Sequence, residues 1–220
     1  MDDASGINSQ DFNNNVQYVS NWYQRTADRG LSAFAVRQSL AFNWTWDLPL
    51  AKDAKGAKAA LLKGWQLNNI GAIATGPPFT VRLGFNGSGN LNTTSFSAND
   101  RPDAVSGINP VLGDPRKFLN IAAFALPPAN TQGSLGRNTI IGPGLVMIDA
   151  SLAKTFQLGE TRTLQFRTEV FNLPNHPNFS IPSGLTSFTN AAGAVSPTFG
   201  KITSTTTTSR QIQMGLKFTF

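Results

Sequence analysis

Apolar and polar residues alternate with a period of two in four stretches of this chain, and more loosely in a fifth. Over 210–220 (RQIQMGLKFTF), Ile212, Met214, Leu216, Phe218 and Phe220 take one parity; Gln211, Gln213, Gly215, Lys217 and Thr219 take the other. Such a period marks an extended strand with one apolar and one polar face. Over 36–48, Leu40, Phe42, Trp44, Trp46 and Leu48 oppose Ala41, Asn43, Thr45 and Asp47, and Pro49 ends the strand. Over 144–156, Val146, Ile148, Ala150, Leu152 and Phe156 oppose Met147, Asp149, Ser151, Ala153 and Thr155. Over 163–171, Leu164, Phe166, Thr168 and Val170 oppose Gln165, Arg167 and Glu169. The tight polar turn QLGETR makes these last two a hairpin. The fifth stretch, 64–81, alternates poorly. Trp65, Leu67 and Ile73 share parity with Asn69, Ile70 sits opposite, and Gly71 and Gly76 weaken the strand.

The connections are unequal. Residues 1–33 are rich in Asn, Asp, Ser and Gln and read as a surface loop. The segment 49–63 (PLAKDAKGAKAALLK) predicts a turn of helix. The longest irregular stretch, about 83–143, holds one apolar patch, Ile121 to Ala125, expected as a local plug or short strand. A further loop, 172–208, carries a short-strand candidate at Phe199, Gly200, Lys201 and Ile202. Compact soluble domains seldom carry such loops, whereas membrane barrels carry them on the outer side. At about 3.3 Å per residue and a tilt near 40°, roughly ten residues rise about 25 Å, the height of a barrel's apolar band. The expected fold is therefore all-β: an antiparallel up-and-down transmembrane β-barrel fragment of about five long strands with long extracellular loops, spread over 1–220 and incomplete as a barrel.

With the final strand running inward to the periplasm, every long loop falls outside and both short turns fall inside. Leu40, Phe42, Trp44, Trp46, Val146, Ile148, Leu152, Phe166, Ile212, Met214 and Leu216 are then expected to face lipid, with Asp149, Arg167 and Glu169 as a charge network in the lumen. Periodicity alone equally allows a secreted soluble β-sandwich that buries the same parities and binds carbohydrate or protein through its long loops.

Composition narrows this little. The net charge is +6, with 18 Lys and Arg against 12 Asp and Glu, yet charged residues make up only 14% of the chain. The basic residues are scattered, which argues against a nucleic-acid partner. The densest group is Lys52, Lys55, Lys58 and Lys63, which reads as a solvated turn; lipopolysaccharide is one anionic neighbour compatible with the charge. Cysteine is absent, so there is neither a disulfide framework nor a thiolate site. No apolar run approaches the roughly eighteen residues of a spanning helix. The amino terminus, MDDASGINSQDFNNN, has neither the basic nor the apolar region of a signal peptide. A barrel needs export, so these residues are expected to be the tail of a longer chain, beginning inside an extracellular loop.

Gln213, Gly215, Phe218 and Phe220 resemble the carboxy-terminal signal that the barrel-assembly machinery reads in outer-membrane proteins. A wider resemblance runs through RGLSAFAVRQSLAFNWTWDLP at 29–49, LLKGWQLNNIGAIATGPPFTV at 61–81, NDRPDAV at 99–105, GRNTIIGPGLVMIDASLAKTF at 136–156 and LQFRTEVFNLPNHPNF at 164–179. In this order, and with the terminal strand, these segments resemble the carboxy-terminal barrel of TonB-dependent outer-membrane receptors, in the subgroup with a carboxypeptidase-regulatory-like amino-terminal domain. Where that family usually has Asp and His, this chain has Ala35 and Gln38. The resemblance implies a barrel of about twenty-two strands around a plug in the outer membrane of a Gram-negative bacterium. It also implies TonB-dependent uptake of an unidentified nutrient, with the plug and TonB as partners through an amino-terminal part.

Candidate chemistry is sparse, and neither catalysis nor a cofactor is expected. His176, the single histidine, lies between prolines in FNLPNHPNF and has no cysteine or adjacent carboxylate to complete a metal site. Asp149, Arg167 and Glu169 are more simply a charge network than an acid/base pair. The serines lack a nucleophile-elbow context. GFNGSGN at 84–90 lacks the Lys-Ser/Thr ending and following helix of a phosphate loop.

Overall fold

A computed structural model describes residues 25–50, 53–89 and 100–220. Residues 1–24 of the expected amino-terminal loop, Lys52 of the lysine group, Asn90 of the glycine-rich tip and Asn99 of NDRPDAV lie outside the described residues. In chain order the elements are β1 (Ser39–Asp47), helix α1 (Ala57–Leu62), β2 (Trp65–Ala74), β3 (Pro78–Phe79), β4 (Asp103–Ala104), β5 (Val111–Asp114) and β6 (Lys117–Leu119). They continue with β7 (Phe124–Ala125), β8 (Ile140–Ile141), β9 (Leu145–Gln157), β10 (Thr163–Phe171) and β11 (Gln211–Thr219). The chain divides into two compact units: 38–74, 145–178 and 207–220 form one, and 1–37, 75–144 and 179–206 the other.

The first unit is an all-antiparallel sheet of five strands in the order β1-β2-β9-β10-β11, open at both edges. Four of the five strands begin and end close to where alternation begins and ends. The exception is β2, expected over 64–81, which stops at Ala74. Pro77 and Pro78 have no N–H to give a ladder, so the pairing ends before them. Helix α1 supplies the helical turn expected between β1 and β2. It packs into a tight return through Gly64, at φ +77°, where a Cβ would stand 2.6 Å from the Thr155 carbonyl oxygen. Gly71 is opposite Phe42, whose ring occupies the space a Cβ on Gly71 would take. The glycine that weakens the alternation is thus covered by a cross-strand aromatic.

β9 runs five residues beyond the last pair it makes with β10 (Val170 with Ala150), and its free edge is closed by the loop that follows β10. Leu173 N–H donates to the Ile148 carbonyl at 2.7 Å, continuing the ladder by one bond. Asn178, 1% exposed, then does with its side chain what a strand would do with its backbone. Its Oδ1 accepts from Val146 N–H at 2.8 Å and its Nδ2 donates to the Val146 carbonyl at 2.9 Å. Asn172, at φ +51°, anchors the same loop. Its N–H donates to Asp149 Oδ1 (2.8 Å), its Oδ1 accepts from His176 N–H (3.0 Å), and its Nδ2 donates to the carbonyls of His176 and Thr208. Asn and Asp tolerate such left-handed turns better than other side chains.

The second unit extends the expectation of an irregular loop over 83–143 with one apolar patch, for residues well beyond that patch are buried together. Phe79, Val81, Leu83, Phe118, Leu119, Ala123, Phe124, Leu135, Ile140, Leu185, Phe188 and Phe199 form one buried core. The pairs β3–β8, β4–β7 and β5–β6 surround it. The apolar patch at Ile121 to Ala125 is a 3-10 turn (Ile121–Ala123) running into β7, with Ala123 and Phe124 in the core. Phe199 to Ile202, expected as a short strand, is instead a turn followed by coil outside any strand ladder. Gly200 at φ +69° makes that turn, close against Leu119, and Phe199 meets Phe124 edge-on at 5.7 Å. Residues 25–31 are tied in by charge-assisted bonds: Arg101 to Asp28 Oδ1 at 3.1 Å and Arg137 Nε to the Asp28 carbonyl at 2.6 Å. Burial pulls the Arg101 pKa below its ordinary value, and the Asp28 carboxylate offsets only part of that fall.

Two substitutions test these arrangements. Asn178→Ala removes both partners of Val146, at about 1–3 kcal/mol for each orphaned group, so Val146 N–H should lose its protection in amide hydrogen exchange. Gly200→Ala forces a left-handed alanine whose Cβ stands 2.8 Å from Leu119, costing about 1–3 kcal/mol. Faster proteolytic cleavage of the second unit, with the five-stranded sheet still resistant, is the expected result.

Candidate functional site

Register decides what the sheet can do. In an antiparallel ladder, residues directly opposite one another point to the same face, so one row of partners carries the parity of one strand to the next. Leu40 pairs with Ile73 and Ile73 with Val146; Phe42 pairs with Gly71 and Gly71 with Ile148. Trp46 leads through Leu67 to Leu152, Thr168 and Met214. Lys154 leads to Phe166 and Leu216, and Ala150 to Val170 and Ile212. All eleven residues expected to face lipid therefore lie on one face of one sheet. Leu40, Trp44, Trp46, Leu152, Phe166, Ile212, Met214 and Leu216 are exposed there, Leu216 by 70%.

Three polar residues interrupt this face: Asn69, Lys154 and Thr168. Asn69 Nδ2 donates to the Asp149 carbonyl at 3.0 Å. Lys154, whose place on the apolar parity sequence reading passed over, is 3% exposed. Its ammonium donates to the Lys63 carbonyl and lies 4.6 Å from the Phe156 ring centre and 5.7 Å from that of Trp65. A long side chain that buries its stem and carries its charge to the strand end is the behaviour expected beside an apolar phase.

The opposite face is mostly polar and laced across strands, though Ile70 and the paired row Ala41, Ala72 and Met147 lie on it. Gln66 Nε2 donates to Asp47 Oδ1 (2.8 Å), Asn68 Nδ2 to Ser151 Oγ (3.1 Å) and Gln165 Nε2 to Thr155 Oγ1 (3.2 Å). Arg167 bridges Glu169 at 3.3 Å and reaches Gln165 Oε1 at 3.5 Å. Asp149 shares this face, but its carboxylate holds the Asn172 N–H at the end of the strand. The ion pair thus joins two of the three expected residues, and the wider network adds Asp47, Gln66, Asn68, Ser151, Thr155 and Gln165. Their common parity was the available signal; which of them touch depends on register.

The signal residues all belong to the end of the chain. Gln213 and Gly215 lie on the polar face of the edge strand β11, opposite Glu169 and Arg167. Phe218 and Phe220 stack at 6.0 Å on the apolar side, and Phe220 is 90% exposed. His176 Nδ1 lies 3.1 Å from Asn178 Oδ1, inside the turn. In the glycine-rich tip, Ser88 N–H and Oγ bind the two carboxylate oxygens of Asp100 at 2.7 and 3.0 Å, so donors that a phosphate would need already hold an anion. Among the described residues no helix is long and apolar enough to cross a membrane, a statement about helices alone.

An open antiparallel sheet with an exposed apolar face and a mostly polar opposite face has the pattern of a membrane-barrel wall. Among the described residues, the remaining sheets are two-stranded pairs in the other unit. No curated protein and no solved structure matches the chain. The family model described as "Outer membrane beta barrel domain" matches residues 1–213. This chain belongs to the outer membrane beta barrel domain family.

Proposed function

We propose that the sheet is part of the barrel of a TonB-dependent receptor in a Gram-negative bacterium, serving energised uptake of a large or scarce nutrient. The observation that carries the barrel is the register: rows of partners from β1 to β11 keep most apolar positions on one side and most hydrogen-bonded polar positions on the other. Lipid and lipopolysaccharide would meet the apolar face, while the polar face would line a wet lumen or meet a plug. The motif order from 29–49 to the terminal strand supports the receptor subgroup. In that reading Gln213, Gly215, Phe218 and Phe220 engage the barrel-assembly machinery. Energy coupling through a plug and TonB belongs to an amino-terminal part of the full-length protein. The chain itself performs no catalysis, and the nutrient is captured by the long connections.

Fractionation of the full-length gene product tests the barrel, and growth tests the uptake. The protein should co-sediment with outer membranes and run with heat-modifiable mobility; a soluble, detergent-independent monomer would refute it. Deleting the gene should slow growth on at least one limiting nutrient, and deleting TonB in the wild type should reproduce that defect. Uptake indifferent to TonB would leave the barrel standing and remove the receptor assignment. Phe220→Ser should lower the assembled, heat-modifiable fraction severalfold.

A further inference from the structure

The connection between β1 and β2 is long for an inner-side turn, and its composition is one-sided. Residues 48–64 hold four lysines and a single acid, Asp53. Helix α1 presents Leu61 (66% exposed) and Leu62 (43% exposed) to solvent. At 100° per residue, Lys58 falls between them on the same side of the helix. Lys55 and Lys63, just outside the helix, are exposed as well. Lys58 sits among the leucines and not on an opposite polar face, but a lysine can lay its apolar stem beside them and carry its ammonium to headgroup level, and Lys55 and Lys63 flank them.

The sheet fixes where this helix lies. Trp65 and Lys154 are direct partners on the apolar face. Trp65 Nε1 donates to the Leu61 carbonyl at 3.0 Å, and the Lys154 ammonium donates to the Lys63 carbonyl. Both bonds cap carbonyls at the helix end, where no further turn can accept them. Since both donors leave the sheet from its apolar face, α1 is held on that side and not over the polar one. The apolar surface therefore continues from Trp46, Leu67 and Trp65 onto Leu61 and Leu62, with Lys58 among these leucines and Lys55 and Lys63 on either side of the helix. Exposed Leu158 prolongs the same end of the sheet at the turn between β9 and β10.

We propose that α1 docks on the inner leaflet of the outer membrane as an anionic-phospholipid anchor: Leu61 and Leu62 enter the acyl boundary, and Lys55, Lys58 and Lys63 hold headgroup phosphates. This rests on the reading of the sheet as a membrane-spanning wall. Charge chooses the occupant, because a zwitterionic surface would leave the lysines without counter-charge, and clustered basic side chains near an anionic leaflet each strengthen binding.

The chain contains no cysteine, so Leu61→Cys gives one labelling site within it. The full-length gene product, with any cysteine elsewhere replaced by serine, would carry a polarity-sensitive fluorophore there. It would be reconstituted into vesicles of phosphatidylcholine alone or mixed with phosphatidylglycerol. The expected result is blue-shifted emission, quenched by nitroxide-bearing lipid, in the phosphatidylglycerol vesicles. Reversing the charges (Lys55→Glu, Lys58→Glu, Lys63→Glu) should lower the docked-to-free ratio by more than about a hundredfold, the loss expected from neutralising three lysines alone, while the heat-modifiable band persists. A heat-modifiable, inserted protein whose probe stays in water in both vesicles overturns the anchor and leaves the barrel intact. Equal quenching in both lipids, unmoved by charge reversal, overturns the phosphate assignment. Shielding that appears only on adding a periplasmic extract would make the occupant an acidic protein and also defeat the proposal. Failure to insert at all, with a soluble product, would instead defeat the membrane reading beneath it.

Discussion

Backbone hydrogen bonding is the constraint on which this sheet depends. A wall that borders hydrocarbon has no water to satisfy a stray N–H or carbonyl, so each strand must find partners along its length. The chain meets this in two ways. Where neighbouring strands are matched in length, the ladder suffices. Where β9 outruns β10, Leu173 supplies one backbone bond and the Asn178 amide takes both polar groups of Val146. The NLPNHPN segment, with its two left-handed asparagines at 172 and 175, is therefore a structural clasp. Its histidine belongs to that clasp through Asn178.

The same ladder couples geometry to chemistry. A one-residue slip between any two strands would send every apolar side chain of one strand to the polar face. Paired rows that begin at Phe42 over Gly71 and reach Met214 opposite Thr168 hold the faces apart without a second layer of structure. Cross-strand contacts on the polar face, such as Gln66 to Asp47 and Asn68 to Ser151, add directionality there, while the exposed Arg167–Glu169 pair adds little stability by itself. Membership in the outer membrane beta barrel domain family accords with this division of faces.

The long excursions follow a different logic. They leave and re-enter the sheet at the ends of β2, β9, β10 and β11, and fold as a separate unit around Phe79, Val81, Leu83 and their neighbours. Its strands are only two to four residues long, and its order comes from burial and from ties such as Arg101 to Asp28. A preformed unit of this kind can present a fixed surface to a ligand, at less ordering cost than a floppy loop.

Alternation by itself determined four of the five strands nearly to the residue, their antiparallel hairpin logic, and the set of apolar positions that share a face. Periodicity of two is a local property, and each side chain's parity follows from its own strand. Tertiary structure decided the rest, because it depends on which residues meet. It joined scattered apolar residues of 75–144 and 179–206 into a core and made a turn of Phe199 and Gly200, whereas the end of β2 at Ala74 is already written in nearby Pro77 and Pro78. It also placed Lys154 among aromatics on the apolar face, parted Asp149 from the Arg167–Glu169 pair, and made Asn178 a substitute strand. Those outcomes rest on contacts between residues tens of positions apart, and no window of sequence contains both partners.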